Sequence, residues 1–195
     1  MLPCRQGLGL GAELVRQVYL LAGRRKGVAE VTVEDPCPAF CVLRDNVDLA
    51  WTEECGAGDG DVEVKFLTKE QKEVMEEMRS MATMCNDIVA HICKKKTREG
   101  KLGLLLREEG KKVDRAEVYS LLIKAVQNHP DFVSFRLSVK KTMFKQDADG
   151  SLHIMSATER KNKLEDLFAE RLERYRRMMK TAQRLGLLKL PSHVV

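Results

Sequence analysis

The chain has 195 residues, of which 44% are hydrophobic and 32% are charged, and its formal net charge at pH 7 is +5. A chain of this length forms one domain or two small ones, and its apolar content is sufficient for a buried core. The net charge is small beside the number of charged residues, so it describes solvated helix faces and argues against direct binding of nucleic acid.

The six cysteines form no C-x-x-C pair and no zinc-ligand spacing. We therefore predict no metal site, and this pattern favours a reducing, intracellular environment. The apolar stretch over 14–23 is interrupted by Arg16 and Gln17. Neither a secretory leader nor a contact with the membrane is predicted from it.

The first predicted element is a glycine loop that leads into a helix. Glycines at alternate positions let the backbone turn tightly and expose its N–H groups. The helix is predicted from apolar residues at helical spacing, which are Leu10, Leu14, Val18 and Leu21. Because a helix N terminus attracts anions, the loop is predicted to bind a pyrophosphate-bearing cofactor. The residues of this predicted site are Gln6, Gly7, Leu8, Gly9, Leu10, Gly11 and Ala12.

A β-strand is predicted over 28–34, where β-branched residues alternate with polar ones. Glu34 would close that strand on its polar face, and Pro36 would end the ladder because proline has no N–H group. A carboxylate at a strand end, one helix away from a phosphate site, is well placed to act at the reacting end of the cofactor. Glu34 is therefore the candidate catalytic residue.

A short helix is predicted over 36–48, with Phe40 and Leu43 facing inward. The acidic, glycine-rich stretch that begins at Glu53 then indicates a flexible linker. We therefore predict three segments: a catalytic and cofactor-binding region over 1–55, a linker over 56–67 and a helical domain over 68–190.

The helical domain is predicted from apolar periodicity and from two capping boxes, Thr68 with Gln71 and Ser156 with Glu159. One helix would run from the first box to the basic residues at 94–96, a second would cover 114–127, and the last would end near Gly186. Residues 132–143 fit both the alternation of a strand and the spacing of a helix, and their helical neighbours favour a helix. Cys85 and Cys93 lie on the first of these helices, where thiols are usually structural.

The glycine loop also fits a second class of site. Gly7, Gly9 and Ala12 satisfy the G-x-G-x-x-A pattern of dinucleotide-binding βαβ units, and Glu34 follows at a strand end. The absence of a hydrophobic strand before the loop and the helical periodicity after residue 50 both argue against that class. A non-catalytic helical interaction protein is the third alternative.

Several motifs together resemble a known family. Gln6-x-x-Gly9-x-Gly11 is similar to the coenzyme A signature Q/R-x-x-G-x-G/A of the GNAT acetyltransferases. The run V-T-V-E-D-P over 31–36, followed by L-R-D over 43–45, resembles the catalytic subunits of type B histone acetyltransferases. The segments 116–119 and 135–140 are similar to the C-terminal helical region of that family.

The resemblance implies an α+β fold. A truncated GNAT acetyl-CoA-binding half of loop, helix, strand and helix would precede an α-helical C-terminal bundle. The backbone of residues 6–12 would hold the pyrophosphate of acetyl-CoA, and Glu34 would be the general base that deprotonates a substrate lysine. Asp35 is a secondary candidate, and Cys37 stands where the family usually has a serine.

The resemblance also implies a substrate and partners. Free, newly synthesised histones would be acetylated, with the histone-four tail as the expected target and a WD-repeat histone chaperone as partner, in the nucleus and the cytoplasm. Full-length members of the family have a long N-terminal portion ahead of the glycine loop. The chain is therefore expected to be an incomplete form, with a stable helical region from about residue 68 and little acetyltransferase activity.

Overall fold

The computed structural model describes residues 9–28, 30–56, 67–95, 100–107, 113–147 and 150–194. Within these ranges the regular secondary structure is α-helical, and no residue belongs to a β-strand. The predicted α+β fold class is therefore wrong: the described part of the chain is all-α. A dinucleotide-binding βαβ unit requires β-strands, so the described ranges contain no such unit.

Eight helices are described. In chain order they are α1 (Leu10–Gly23), α2 (Pro38–Gly56), α3 (Lys69–Lys95), α4 (Gly100–Leu105), α5 (Arg115–Val126), α6 (Phe132–Lys145), α7 (Ser151–Ile154) and α8 (Ala157–Arg184). The chain forms two compact units, Met1–Glu76 and Glu77–Val195, and the division falls within α3.

The segment predicted as a strand has no regular secondary structure at residues 28 and 30–34. Alternation of side chains makes a strand possible, but a strand is stable only when a neighbouring strand completes its hydrogen bonds. No described residue supplies that neighbour. The chain instead bends at Glu34 and Asp35, where the φ angle of Asp35 is 44°. Aspartate tolerates this left-handed conformation better than most residues.

The first unit has a small core between α1 and α2, which contact each other. The rings of Tyr19 and Trp51 meet edge to face there, with their centroids 5.7 Å apart. The other buried members of this cluster are Val15, Val47 and Leu67. Phe40 and Leu43 pack against its edge, so their predicted inward placement is confirmed.

The predicted linker over 56–67 lies mostly outside the described residues, so the division into segments 1–55 and 68–190 stays a prediction. α2 continues to Gly56, into the acidic stretch, because Glu53 and Glu54 have good helix propensity. α3 begins at Lys69, directly after the first residue of the predicted capping box. The Thr68 backbone N–H donates to Gln71 Oε1 at 2.7 Å, and the Gln71 N–H donates to Thr68 Oγ1 at 3.1 Å.

The second unit is organised around α8, which α5, α6 and α7 all contact. The predicted inner residues of α5 are all buried, namely Val118, Tyr119, Leu122, Ile123 and Val126. Residues 132–143 are helical as predicted. In α6, Phe132 and Val139 are buried while Val133 and Leu137 are exposed, a pattern that follows helical and not alternating periodicity.

The predicted ends of α8 are also confirmed. Ser156 and Glu159 form both hydrogen bonds of a capping box, and Gly186 adopts a φ angle of 76° just beyond the last turn. None of the helices in the described ranges is both long enough and apolar enough to cross a membrane.

Candidate functional site

The N terminus of α1 is the described part of the predicted phosphate site. Gly9 is its N-cap residue and has φ 75° and ψ 1°, a conformation that glycine adopts without steric cost. As a glycine, Gly9 has no side chain with which to cap the helix. The first-turn N–H groups have no acceptor within the helix, and Gly9 and Leu10 are exposed while Gly11 and Ala12 are half-buried.

Four of the seven predicted cofactor-binding residues can be placed. Gly9, Leu10, Gly11 and Ala12 form the cap and first turn of α1, whereas Gln6, Gly7 and Leu8 lie outside the described residues. Ala12 also packs against the core cluster of the first unit. The donor-bearing turn is therefore fixed to that core.

Glu13, in the same turn, affects the electrostatics of the site. Its carboxylate interacts favourably with the helix dipole but repels a second anion nearby. Gln17 Nε2 donates to Glu13 Oε1 at 2.7 Å, one turn further along the helix. This hydrogen bond draws the carboxylate toward the C-terminal side and away from the first N–H groups.

The candidate base, Glu34, lies in the bend that precedes α2. Residues 32–37 are all exposed, so Glu34 and Asp35 present two adjacent carboxylates to solvent. Val31, three residues earlier, packs against the same core cluster as Ala12. The segment that carries Glu34 and the first turn of α1 are therefore attached to one core, although residues 30–34 do not form the predicted strand.

A buried polar network links this segment to the helices. Asp48 of α2 has no exposed surface, and its Oδ1 accepts a hydrogen bond of 2.5 Å from the Tyr19 hydroxyl. Gln71 Nε2 donates to Asp48 Oδ2 at 2.9 Å. Arg44 Nε donates to the Tyr19 hydroxyl at 3.2 Å and lies 3.7 Å from Asp48 Oδ2. Arg44 Nη2 donates to the backbone carbonyl of Val31.

The network accounts for a fully buried carboxylate. A charge without partners would be strongly unfavourable in the interior, but Asp48 has two hydrogen-bond donors and a nearby guanidinium. Burial raises the pKa of Tyr19 above its usual value, and the negative charge of Asp48 raises it further. The phenol therefore remains a hydrogen-bond donor to Asp48 at neutral pH.

Sequence analysis did not predict this network. Arg44 and Asp48 stand four residues apart on a predicted helix, a spacing that is typical of ion pairs and could have indicated their contact. Tyr19 lies 29 residues from Asp48 in sequence. No local pattern could have shown that these two side chains meet.

The apolar residues from which α1 was predicted do not face the core. The helix itself is confirmed, but Leu10, Leu14, Val18 and Leu21 are between 41% and 64% exposed. The buried positions of α1 are Val15, Tyr19 and Ala22. α1 is therefore apolar on two sides, of which α2 covers one.

In the described ranges, no three His, Cys, Asp or Glu side chains are grouped closely enough to hold a metal ion. Cys85 is completely buried, and this burial raises the pKa of its thiol to about 12. His91 and Cys93 are exposed. Cys85 is thus a core thiol of α3.

The described residues define an all-α protein with an open helix N terminus and an exposed pair of carboxylates, both attached to one small core. A segment of 56 residues of this chain is 43% identical to the histone acetyltransferase type B catalytic subunit of Yarrowia lipolytica (strain CLIB 122 / E 150). That similarity covers 29% of the chain and 12% of the yeast protein. No family model and no solved structure matches the chain.

The similarity to the Yarrowia protein supports a partial relationship to that catalytic subunit, over the 56 residues that match. It does not extend to the greater part of either chain.

Proposed function

We propose that this chain belongs to a type B histone acetyltransferase, which transfers the acetyl group of acetyl-CoA to lysines of free, newly synthesised histones, with the histone-four tail as its target. The observation that carries the proposal is the 43% identity over 56 residues with a protein of that name.

The N terminus of α1 supports binding of the coenzyme. The pyrophosphate of acetyl-CoA needs several N–H donors, and the exposed first turn of a helix capped by Gly9 provides them together with the positive end of the dipole. In the proposal, the backbone over Gln6–Ala12 holds the pyrophosphate, and Gly9–Ala12 are its described part.

Glu34 is proposed as the general base. A free lysine ammonium has a pKa of about 10.4 and is almost wholly protonated at neutral pH, so it must lose a proton before it can react. Glu34 takes that proton, directly or through a water molecule, and the neutral amine attacks the thioester carbonyl. An amide bond forms, the carbon–sulfur bond breaks, and the thiolate leaves and takes up a proton. Because Glu34 is exposed, a lysine on a flexible peptide can reach it.

The proposed substrate and partner rest on the charge of the Glu34 segment and on the family resemblance. The adjacent carboxylates of Glu34 and Asp35 suit a basic peptide such as a histone tail. A WD-repeat histone chaperone subunit is proposed as the stable partner, and the nucleus and cytoplasm as the location, because the sequence resembles a family with these properties.

Calorimetric titration of the 195-residue chain with coenzyme A and with NAD tests the proposal. We expect coenzyme A to bind and NAD not to bind. Gly9→Ala should weaken the binding of coenzyme A, because alanine strains a backbone with φ 75° at the helix N terminus. Gly186→Ala is the matched control, since it introduces the same strain at φ 76° after α8. Both variants should lose about 1 kcal/mol of stability, but only Gly9→Ala should lose affinity.

The exposed apolar residues of α1 favour one alternative, a non-catalytic helical interaction protein. The same titrations distinguish the two candidates. Preference for NAD would contradict the acetyltransferase proposal, and binding of neither nucleotide would favour the interaction protein.

A further inference from the structure

Arg44 connects the interior of the first unit to the backbone next to Glu34. One edge of its guanidinium faces Tyr19 and Asp48, with Nε 3.2 Å from the Tyr19 hydroxyl and 3.7 Å from Asp48 Oδ2. Its Nη2 donates to the Val31 carbonyl. The Arg44 side chain is only 13% exposed. Water therefore competes weakly for these hydrogen bonds.

The Val31 carbonyl belongs to a segment with little other support. Residues 30–34 have no regular secondary structure, and residues 32–37 are exposed. Val31 itself packs on the core. The hydrogen bond from Arg44 and this packing are thus two described attachments between the core and the residues just before Glu34.

Arginine suits this bridge in a way that lysine does not. Its planar guanidinium carries donors that point in fixed, different directions, so one side chain can contact Tyr19 and Val31 together. The Arg44 fork is itself held by Asp48, which Tyr19 and Gln71 orient in turn. A lysine would retain the positive charge near Asp48 but offers a single nitrogen in place of the two separate nitrogens that contact Tyr19 and Val31.

We propose that Arg44 is a positioning residue, which holds the Val31 carbonyl and thereby fixes the backbone that carries Glu34 relative to the core beneath α1. The catalytic consequence of this tether rests on the proposed function of Glu34. Held in this way, Glu34 keeps a constant distance from the first turn of α1, where the coenzyme is proposed to bind. A displacement of about 1 Å in a reacting group can reduce a rate by about 10²-fold.

The first measurement is the NMR order parameter of the backbone amides of Val33 and Glu34 in the complete chain. We expect values near 0.8 in the wild type, which is typical of ordered backbone, and values below about 0.6 in Arg44→Lys. Arg25→Lys, at an exposed position after α1, is the matched control and should leave both values unchanged. Order parameters that remain high in Arg44→Lys would overturn the tether.

A second variant separates the loss of the tether from a loss of the folded structure. Removing Arg44 alone could destabilise the unit by leaving Asp48 without its cation, so Arg44→Met is combined with Asp48→Asn. The helical circular dichroism of this double variant should be retained while the two order parameters fall. A double variant that folds and keeps the wild-type order parameters would also overturn the tether.

The kinetic measurement tests the catalytic role. In the full-length enzyme to which the chain is proposed to belong, and with histone-tail peptide as substrate, Arg44→Lys should lower kcat by about 10- to 100-fold and leave the KM for acetyl-CoA unchanged. An unchanged kcat with lowered order parameters would show that the tether has no catalytic role. A wild-type chain that binds no coenzyme A would instead overturn the proposed function, and the order parameters would still decide the tether.

Discussion

Glu34 and Asp48 illustrate how the surroundings of a carboxylate determine its role. Asp48 has no exposed surface, accepts hydrogen bonds from Tyr19 and Gln71, and lies 3.7 Å from Arg44 Nε, so its role is structural. Glu34 lies in an exposed bend and is open to a substrate. The same functional group thus holds the fold together at one position and is the candidate for chemistry at the other.

Replacing Glu34 tests the proposed base. In the full-length enzyme to which the chain is proposed to belong, Glu34→Gln keeps the shape of the side chain and removes its ability to accept a proton. The kcat should fall by about 10² to 10⁴-fold with little change in coenzyme affinity. The control is Glu30→Gln, an exposed residue of the same segment, which should act as the wild type. A Glu34→Gln enzyme with the wild-type rate across the pH range would mean that another group is the base.

The three tyrosines give a prediction about alkaline pH. Burial raises the pKa of Tyr19, Tyr119 and Tyr175 above the ordinary value of 10.0, and the charges of Asp48 and Glu77 raise it further for the first and the last. Above pH 10 the unfolded chain loses these phenolic protons while the folded chain keeps them. Their contribution to stability is therefore complete below pH 10 and is lost as the pH rises toward the folded-state values.

Absorbance of the phenolate ion measures this effect. At pH 10 the native chain should show almost no ionised Tyr19 or Tyr175, whereas the chain unfolded in urea should be about half ionised. Above pH 10, the free energy of unfolding should fall by up to about 1.4 kcal/mol per pH unit for each of these two tyrosines. Tyr175→Phe should remove the part of this pH dependence that Tyr175 contributes. Native tyrosines that titrate near pH 10 would contradict the prediction.

At the scale of elements, α1 is a helix as predicted, but the residues that predicted it are not the ones that it buries. Its periodic leucines indicate a helix, but they lie on the surface, while the packing against α2 uses Val15, Tyr19 and Ala22. A helix with apolar residues on two sides carries no single stripe that identifies its buried face. Only the position of α2 shows which side is covered.

Paired substitutions on α1 test this orientation. Leu14→Gln, at a position that is 64% exposed, should change the free energy of unfolding by less than about 0.5 kcal/mol. Val15→Ala, at a position that is 8% exposed, should cost about 1 to 2 kcal/mol because it leaves a cavity beside α2. Urea denaturation of both variants provides the comparison. A larger cost at Leu14 than at Val15 would mean that the two faces are assigned the wrong way round.

At the scale of the whole molecule, the two units differ in how their backbone is supported. In the second unit α8 buries Tyr175, Met178 and Met179 completely, and the Tyr175 hydroxyl donates to Glu77 Oε2 at 2.6 Å. In the first unit the segment 30–37 is largely exposed and has no regular secondary structure. The free energy needed to open the backbone should therefore vary widely along the chain.

Amide hydrogen exchange should record that variation. We expect amides in the middle of α8 to exchange more slowly than those of 30–37 by a factor on the order of 10³ or more. α2, in the same unit as 30–37, is the internal reference and should be protected over Val47–Trp51. Protection of 30–34 comparable to that of α8 would show that this segment is paired as a strand in solution.

Local chemistry in the sequence determined most of the helical structure. The capping boxes at Thr68 and Ser156, the periodic apolar residues of α3, α5 and α8, and the left-handed Gly9 and Gly186 all act within a few residues, so their outcome could be read from the chain alone. The candidate residues Gly9–Ala12 and Glu34 were likewise found from local pattern.

Tertiary structure decided the features that depend on distant partners. Residues 28–34 alternate like a strand, but no described residue pairs with them, so the segment is irregular where it is described. The contact of Tyr19 with Asp48 and the bond from Arg44 to Val31 depend on how α1, α2 and the intervening chain pack. A pattern within one segment states what that segment can do, whereas the choice among its options is made by the groups that fold against it.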